Sequence, residues 1–366
     1  MNHSFTRRTA ILSVTAFVLA LSVVAEGILL NNASSGSGQA TEQTAVVQSL
    51  SPEPEAPTPT LTPSSSPTIQ PTATFTPTPN SMFPGDFKNV FTRQPLAVMV
   101  DNIVFARPQS GLSDADVVYE AVVEAGITRF MAIFGNHDSE VVGPVRSGRH
   151  YFMYWANEYN AVYVMAGASP QGYSVAQEIG LPRIDYTYGE GYFWRAADRD
   201  APHNLYTDIA RLRTLIPDSK EGRLGSLEFK PDRPNPTVNT ITLTHPDGYR
   251  VGYIYQEGDN SYSRYMQREP HVDAYTGVQY HPKNVIVQFV PTWRIRGDTA
   301  GRMDMELVGS GLAYFFLDGI AVKGTWRKDS PYSPTLFLNE QGAPVRFNAG
   351  QTWIQVAPAD STLEFE

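Results

Sequence analysis

The chain has 366 residues, 42% of them hydrophobic and 18% charged, enough to form two folded domains once tails are set aside. Twenty-eight basic residues face 37 acidic ones, a formal net charge of −9. No basic face is evident, which argues against a nucleic-acid partner. Cysteine is absent, so disulfides, thiol nucleophiles, zinc–thiolate sites and cysteine-linked lipid anchors are excluded.

Arg7-Arg8 precede an apolar run from Ala10 to Ala25, roughly 16 residues and at the upper edge of a signal-peptide core. Read through Glu26 to Leu30 the run is about 21 residues, long enough to cross a bilayer. Residues 1–30 are therefore expected to be a membrane anchor, with the basic flank inside and the rest exported. Val23-Val-Ala25 has the small-residue spacing of a cleavage site, so secretion after cleavage is the alternative. Residues 31–82 are rich in Ser, Thr and Pro, as in Pro57-Thr-Pro-Thr60. They lack the apolar groups to offset ordering entropy and read as a disordered spacer. The Pro-rich half alone would reach about 90 Å at about 3.1 Å per residue.

An N-terminal domain is expected over 83–219. Strands are expected at Leu96–Val100, Val117–Glu124, Arg129–Phe134 and Ala161–Met165. Helices are expected at Val145–Glu158, Gln171–Ile179 and Thr207–Leu215. Strands interleaved with helices indicate an α/β or α+β fold with a mixed sheet. Residues 220–236 are polar and rich in Pro and Gly, and read as an interdomain linker. A smaller β-rich domain follows over 237–358, ahead of a tail at 359–366. Its strands are expected at Val238–Thr244, Tyr249–Gln256, Val285–Val290, Leu312–Leu317 and Ile320–Trp326, with Asp318-Gly319 as a hairpin turn.

Polar residues collect at the ends of the N-terminal strands, as they do around a cleft on a layered scaffold. Arg146 and Arg149 fall three apart in the first turn of an expected helix, where free N–H groups and two guanidinium forks would hold a carboxylate or phosphate. Glu120 and Glu124 share a strand face with valines, so those arginines equally suit internal ion pairs. The two glutamates are about 13 Å apart along a strand, too far for a glycosidase pair unless the side chains bend. Glu120 with Asp101 from a neighbouring strand would be a better acid/base pair. His203, in the loop Ala201-Pro-His-Asn204, can hold a proton or donate to an anion. Asn204 or Thr207 could cap the following helix. Gly167-Ala-Ser169-Pro170 has the place of a nucleophile elbow, but Pro170 has no N–H for an oxyanion, so Ser-Pro reads better as a helix start. Tyr186, Tyr188, Tyr192, Phe193 and Trp194 would pack a loop or stack on sugar rings. His271-x-Asp273 is a weaker polar pair. No metal-ligand spacing and no complete dinucleotide or phosphate-loop fingerprint occurs, so neither a metal nor a cofactor is expected.

Ala106-Arg-Pro-Gln-Ser-Gly111, Gly143-Pro-Val-Arg-Ser147, Gly167-Ala-Ser-Pro170 and Ala201-Pro-His-Asn204 resemble the YerB-like family of exported bacterial proteins. Lys283-Asn-Val285, Gly324-Thr-Trp326 and Gly350-Gln-Thr-Trp-Ile354 extend the resemblance into the second half. The resemblance implies a two-part architecture and export, without an established activity. Many such relatives are lipoproteins, and the absent cysteine here favours the uncleaved helix as the tether. Relatives also often carry a His before the Gly-x-Ser-Pro turn, where this chain has Met165-Ala166.

The resulting expectation is a membrane-tethered envelope protein that binds an anionic or glycan ligand through Arg107, Arg146, Arg149, His203 and Asn204. Two alternatives remain. One is an envelope hydrolase or transferase using Asp101 or Glu120 with His203. The other is a scaffold whose C-terminal domain docks a protein partner.

Overall fold

The computed structural model describes residues 91–217 and 222–366. The expected anchor and Pro/Thr-rich spacer lie outside the described residues. Among those described, no helix is long and apolar enough to cross a membrane.

One ten-stranded mixed sheet runs through both halves of the chain. From edge to edge its strands are Leu336–Asn339, Ile320–Lys328, Gly309–Leu317, Asn284–Val290, Thr352–Pro358, Val117–Glu124, Ile127–Phe134, Leu96–Asp101, Val162–Met165 and Arg183–Asp185. Thr352–Pro358 joins the halves: it pairs in parallel with Asn284–Val290 on one side and with Val117–Glu124 on the other. All seven of its residues are buried. A strand covered on both faces reads as a continuous apolar run rather than an alternation, and Val285-Ile-Val287 and Leu96-Ala-Val-Met-Val100 are such runs.

Alternate residues feed different cores. Ala97, Met99, Tyr119, Met131 and Ile286 pack with the helix His150–Glu158 on one face. Val98, Val100, Val118, Phe130 and Trp353 pack on the other. Over the C-terminal half, a five-stranded sheet including Thr240–Thr244, Arg250–Gln256 and Ser261–Met266 packs Leu243, Val251 and Tyr253 against Val285, Val287 and Phe316.

The helical content is smaller than expected, and the fold is strand-rich rather than α/β. The first helix begins at His150 instead of Val145. The N–H groups of Val145, Arg146 and Gly148 are taken by Leu205, Met99 and Gly167 carbonyls, which holds 145–148 extended. The third helix shrinks to Ile209–Arg213, and Asp208 caps it, not Asn204 or Thr207. The stretch read as a linker contains the strand Glu228–Lys230, which pairs in parallel with Arg346–Asn348. Asp318 and Gly319 have φ of 54° and 72°, the left-handed pair that a two-residue hairpin turn demands.

Candidate functional site

The site lies where two parallel strands end. Leu96–Asp101 and Val162–Met165 run in parallel, and ligand crevices in such sheets open beyond the carboxyl ends. Residues 144–148 enter between the two strand ends. Asp101 N–H donates to the Pro144 carbonyl (2.8 Å), Arg146 N–H to Met99 (3.0 Å) and Ala166 N–H to Arg146 (3.1 Å). On its far side the segment is tied to Leu205–Thr207, with Val145 N–H on the Leu205 carbonyl at 2.6 Å. The loop carrying His203 is thereby fixed beside the end of the Asp101 strand.

Asp101 is buried, and one of its oxygens gathers an imidazole and a guanidinium. His203 Nδ1 stands 2.8 Å from Oδ2, and Arg146 Nε 2.9 Å from the same atom. The other oxygen accepts the Ile103 N–H at 3.2 Å. Facing a carboxylate, His203 carries a proton on Nδ1, so its Nε2 is the working nitrogen: an acceptor when the ring is neutral and a donor when it is charged. Arg146 touches Asp101 only through Nε, in an ionic contact not aligned as a hydrogen bond. Its two terminal nitrogens have no hydrogen-bond partner among the described residues. The Arg146 and His203 side chains keep 24% and 18% of their accessibility, so this free end meets solvent.

Other guanidiniums crowd the same carboxylate. Burial lowers the Arg146 pKa against the pull of Asp101, and the neighbouring Arg129 and Arg195 lower it further. Arg129 is buried beneath, donating to the Ser147 carbonyl (2.7 Å) and to Glu124 (3.0 Å). Arg149 also pairs with Glu124. Arg195 donates to Asn204 Oδ1 at 2.8 Å and has no carboxylate partner among the described residues. Three guanidiniums thus pair with Asp101 and Glu124, and Arg195 adds a fourth positive charge without a carboxylate of its own at the exposed end.

Residues 85–222 match the family described as "Protein of unknown function (DUF3048) N-terminal domain", and residues 241–354 match its C-terminal domain. The chain belongs to the DUF3048 family. It is similar to a protein of Bacillus subtilis (strain 168) named "Putative lipoprotein YerB", with 30% identity over 74% of this chain and 83% of the relative. A crystal structure of YerB protein from Bacillus subtilis matches with a TM-score of 0.66 at 30% identity, covering 75% of this chain and 94% of that one. The YerB-like resemblance seen in the motifs is borne out. The family's two matched parts both contribute strands to the one large sheet.

The remaining candidates fall elsewhere. Asp101 and Glu120 do not form a pair. Asp101 lies opposite Arg129, and Glu120 opposite Phe130, on the two strands that flank Ile127–Phe134, so their side chains leave opposite faces. Glu120 is buried against the C-terminal half. It accepts from Arg264 (2.6 Å), Tyr249 (2.7 Å) and Thr128 (2.7 Å). Arg107 is spent on the Asn102 carbonyl (2.8 and 3.0 Å) and lies over the Tyr249 ring. The expected clamp of Arg146 with Arg149 is split, because the extended backbone sends Arg149 to Glu124. The amide nitrogen of Asn204 is committed to the Ala196 and Arg199 carbonyls, both at 2.9 Å, so this residue positions Arg195. Ser169 caps its helix by accepting the Gly172 N–H, with Pro170 at the first helical position. His271 and Asp273 are buried links to Gln109 and Gly111. In the aromatic loop Phe193 is buried and Trp194 stacks on Tyr206, whereas Tyr188 is exposed. Sequence reasoning passed over Arg195 at the site and Phe105 outside it, an exposed residue whose ring lies 6.2 Å from that of His203. Arg195 was legible only as a basic residue upstream of His203. Phe105 gave no signal within Ile103-Val-Phe-Ala106.

Proposed function

We propose that the Asp101–Arg146–His203 site, with Arg195, binds an anionic group of a cell-envelope component. The observation that carries this reading is the shared Asp101 oxygen. It orients the His203 imidazole and the Arg146 guanidinium at 2.8 and 2.9 Å while leaving His203 Nε2 and the Arg146 terminal nitrogens free for a ligand. Held in this way the donors lose little further freedom on binding. Export and attachment to the membrane fit the apolar N-terminal run and the lipoprotein name of the YerB relative. One feature favours a second reading, hydrolysis or group transfer. The Asp101–His203 hydrogen bond gives the imidazole the orientation and tautomer of a general base.

Calorimetric titration of the full chain in phosphatidylcholine nanodiscs with inorganic phosphate, teichoic-acid fragments and muropeptides tests the proposal. Arg146→Ala and His203→Ala are titrated beside the parent. Saturable binding of an anionic probe that both variants lose by about tenfold or more, with parental circular dichroism, is the expected result. Equal binding by parent and variants would remove the site from consideration. Turnover of a fragment, lost in His203→Ala, would select the second reading.

A further inference from the structure

We infer that the anion is the head of an amphiphile: a phosphate monoester whose apolar chain leaves the site over Val104 and Phe105. This rests on the anion-binding reading above and specifies its ligand. Val104 and Phe105 are 62% and 71% exposed, side by side in the short helical turn Val104–Ala106. The Phe105 ring lies 6.2 Å from the His203 ring. An apolar surface thus begins where the cationic one ends.

The turn is held firmly. Arg199 donates to the Ala106 and Pro108 carbonyls at 2.8 and 2.9 Å. Arg107 binds the Asn102 carbonyl at the other end of the turn, and Ala106 N–H closes it on Ile103 at 2.9 Å. Two guanidiniums therefore brace a segment that holds an aliphatic and an aromatic side chain in water. Exposed apolar groups placed together beside a polar site offer an apolar chain a surface to cover.

The polar end fits a phosphate better than a carboxylate. Free donors come from the terminal nitrogens of Arg146 and the unspent nitrogens of Arg195, and His203 Nε2 joins them when the ring is charged. A phosphate monoester offers three strong acceptor oxygens and close to two negative charges. Its fourth oxygen carries the chain, which the neighbouring Val104–Phe105 surface would cover.

Inorganic phosphate, butyl phosphate and hexyl phosphate are titrated into the full chain in phosphatidylcholine nanodiscs, and into Phe105→Ser, Val104→Ser and Arg146→Ala. Each buried methylene adds about fourfold to affinity, so hexyl phosphate is expected to bind at least about tenfold more tightly than inorganic phosphate. Phe105→Ser should cancel most of that gain and leave inorganic phosphate unchanged, while Arg146→Ala weakens all three. Both apolar positions are exposed, so their variants should fold as the parent does. Equal affinity for the three probes, or a gain that survives Phe105→Ser and Val104→Ser, overturns the amphiphile and leaves the anion site standing. If none of the probes binds, the anion site fails and the amphiphile with it. Given the gain, phosphatidic acid in the nanodisc shows the source. Competition by that lipid, lost in Phe105→Ser, identifies a membrane-borne phosphate, and its absence identifies a free one.

Discussion

Glu120 and Arg264 carry opposite charges at 2.6 Å with both side chains fully buried. Burial pushes the Glu120 carboxyl up, but Arg264, with Thr128 and Tyr249, outweighs it and holds the pKa below the ordinary value. Arg264→Met strands the carboxylate and is expected to cost about 3–5 kcal/mol, a fall in Tm on the order of 10 °C. Adding Glu120→Gln should recover part of that loss, and the double-variant cycle measures the coupling. The same network holds His271 neutral. Its Nε2 stands 2.7 Å from Gln109 Oε1, so that nitrogen carries the proton and Nδ1 accepts from Arg264. Burial, then the charges of Arg264 and Arg107, push its pKa well below the ordinary 6.5. The unfolded chain takes up a proton near that value and the folded one does not. Stability from this residue is therefore complete above about pH 6.5 and is lost as the pH falls below it. In a series of Tm values from pH 7.5 to 5, the parent should decline more steeply than His271→Gln. Parallel curves would show that His271 protonates without consequence.

At the scale of elements, the site depends on how closely two extended segments approach. A Cβ at Gly143 would sit 2.6 Å from the Leu205 carbonyl oxygen and 2.8 Å from the Tyr206 ring. Gly143→Ala must push 143–146 away from 205–207. Those segments set Arg146 and the His203 loop around Asp101. Loss of anion binding at least about tenfold is expected, with a stability cost of about 1–3 kcal/mol for overpacking. Titration calorimetry with inorganic phosphate and thermal unfolding report the two effects separately. Unaltered binding would show that Asp101 alone places the donors. Most strands here were legible. Val117–Glu124 falls at its expected bounds, and Leu96–Asp101 and Asn284–Val290 differ by one residue, because each is an apolar or β-branched run ended by a polar residue. Residues 145–149 were not. Their apolar and basic spacing suits a helix, but their N–H groups are claimed by carbonyls from Met99, Gly167 and Leu205, distant in sequence. The Asp101–His203 contact spans 102 residues and was named only as one possible pairing, since spacing carries no information about which loops meet.

The two family parts are joined by the strand Thr352–Pro358, inserted between one strand of each. Polar links reinforce the junction. Arg264 reaches Glu120, Lys328 reaches Glu158, and Gln351 Nε2 donates to the Leu112 and Ala115 carbonyls at 2.7 Å. Two autonomous domains, as the Pro/Gly-rich stretch at 220–236 led us to expect, would unfold separately. A shared sheet predicts otherwise. Removing 352–366 exposes the backbone edges of Val117–Ala121 and Asn284–Val290 together, along with the apolar residues that Trp353, Ile354 and Val356 cover. Unpaired apolar edges of this kind invite aggregation. The full chain is expected to lose far-ultraviolet circular dichroism and tryptophan fluorescence in one coincident denaturant transition. The piece 84–217 alone, and the chain ending at Gln351, should fail to fold and should aggregate. Two separated transitions, or a folded 84–217 piece, would make the joint sheet an interface between independent units, and the Glu120–Arg264 pair would then be an interdomain contact able to open.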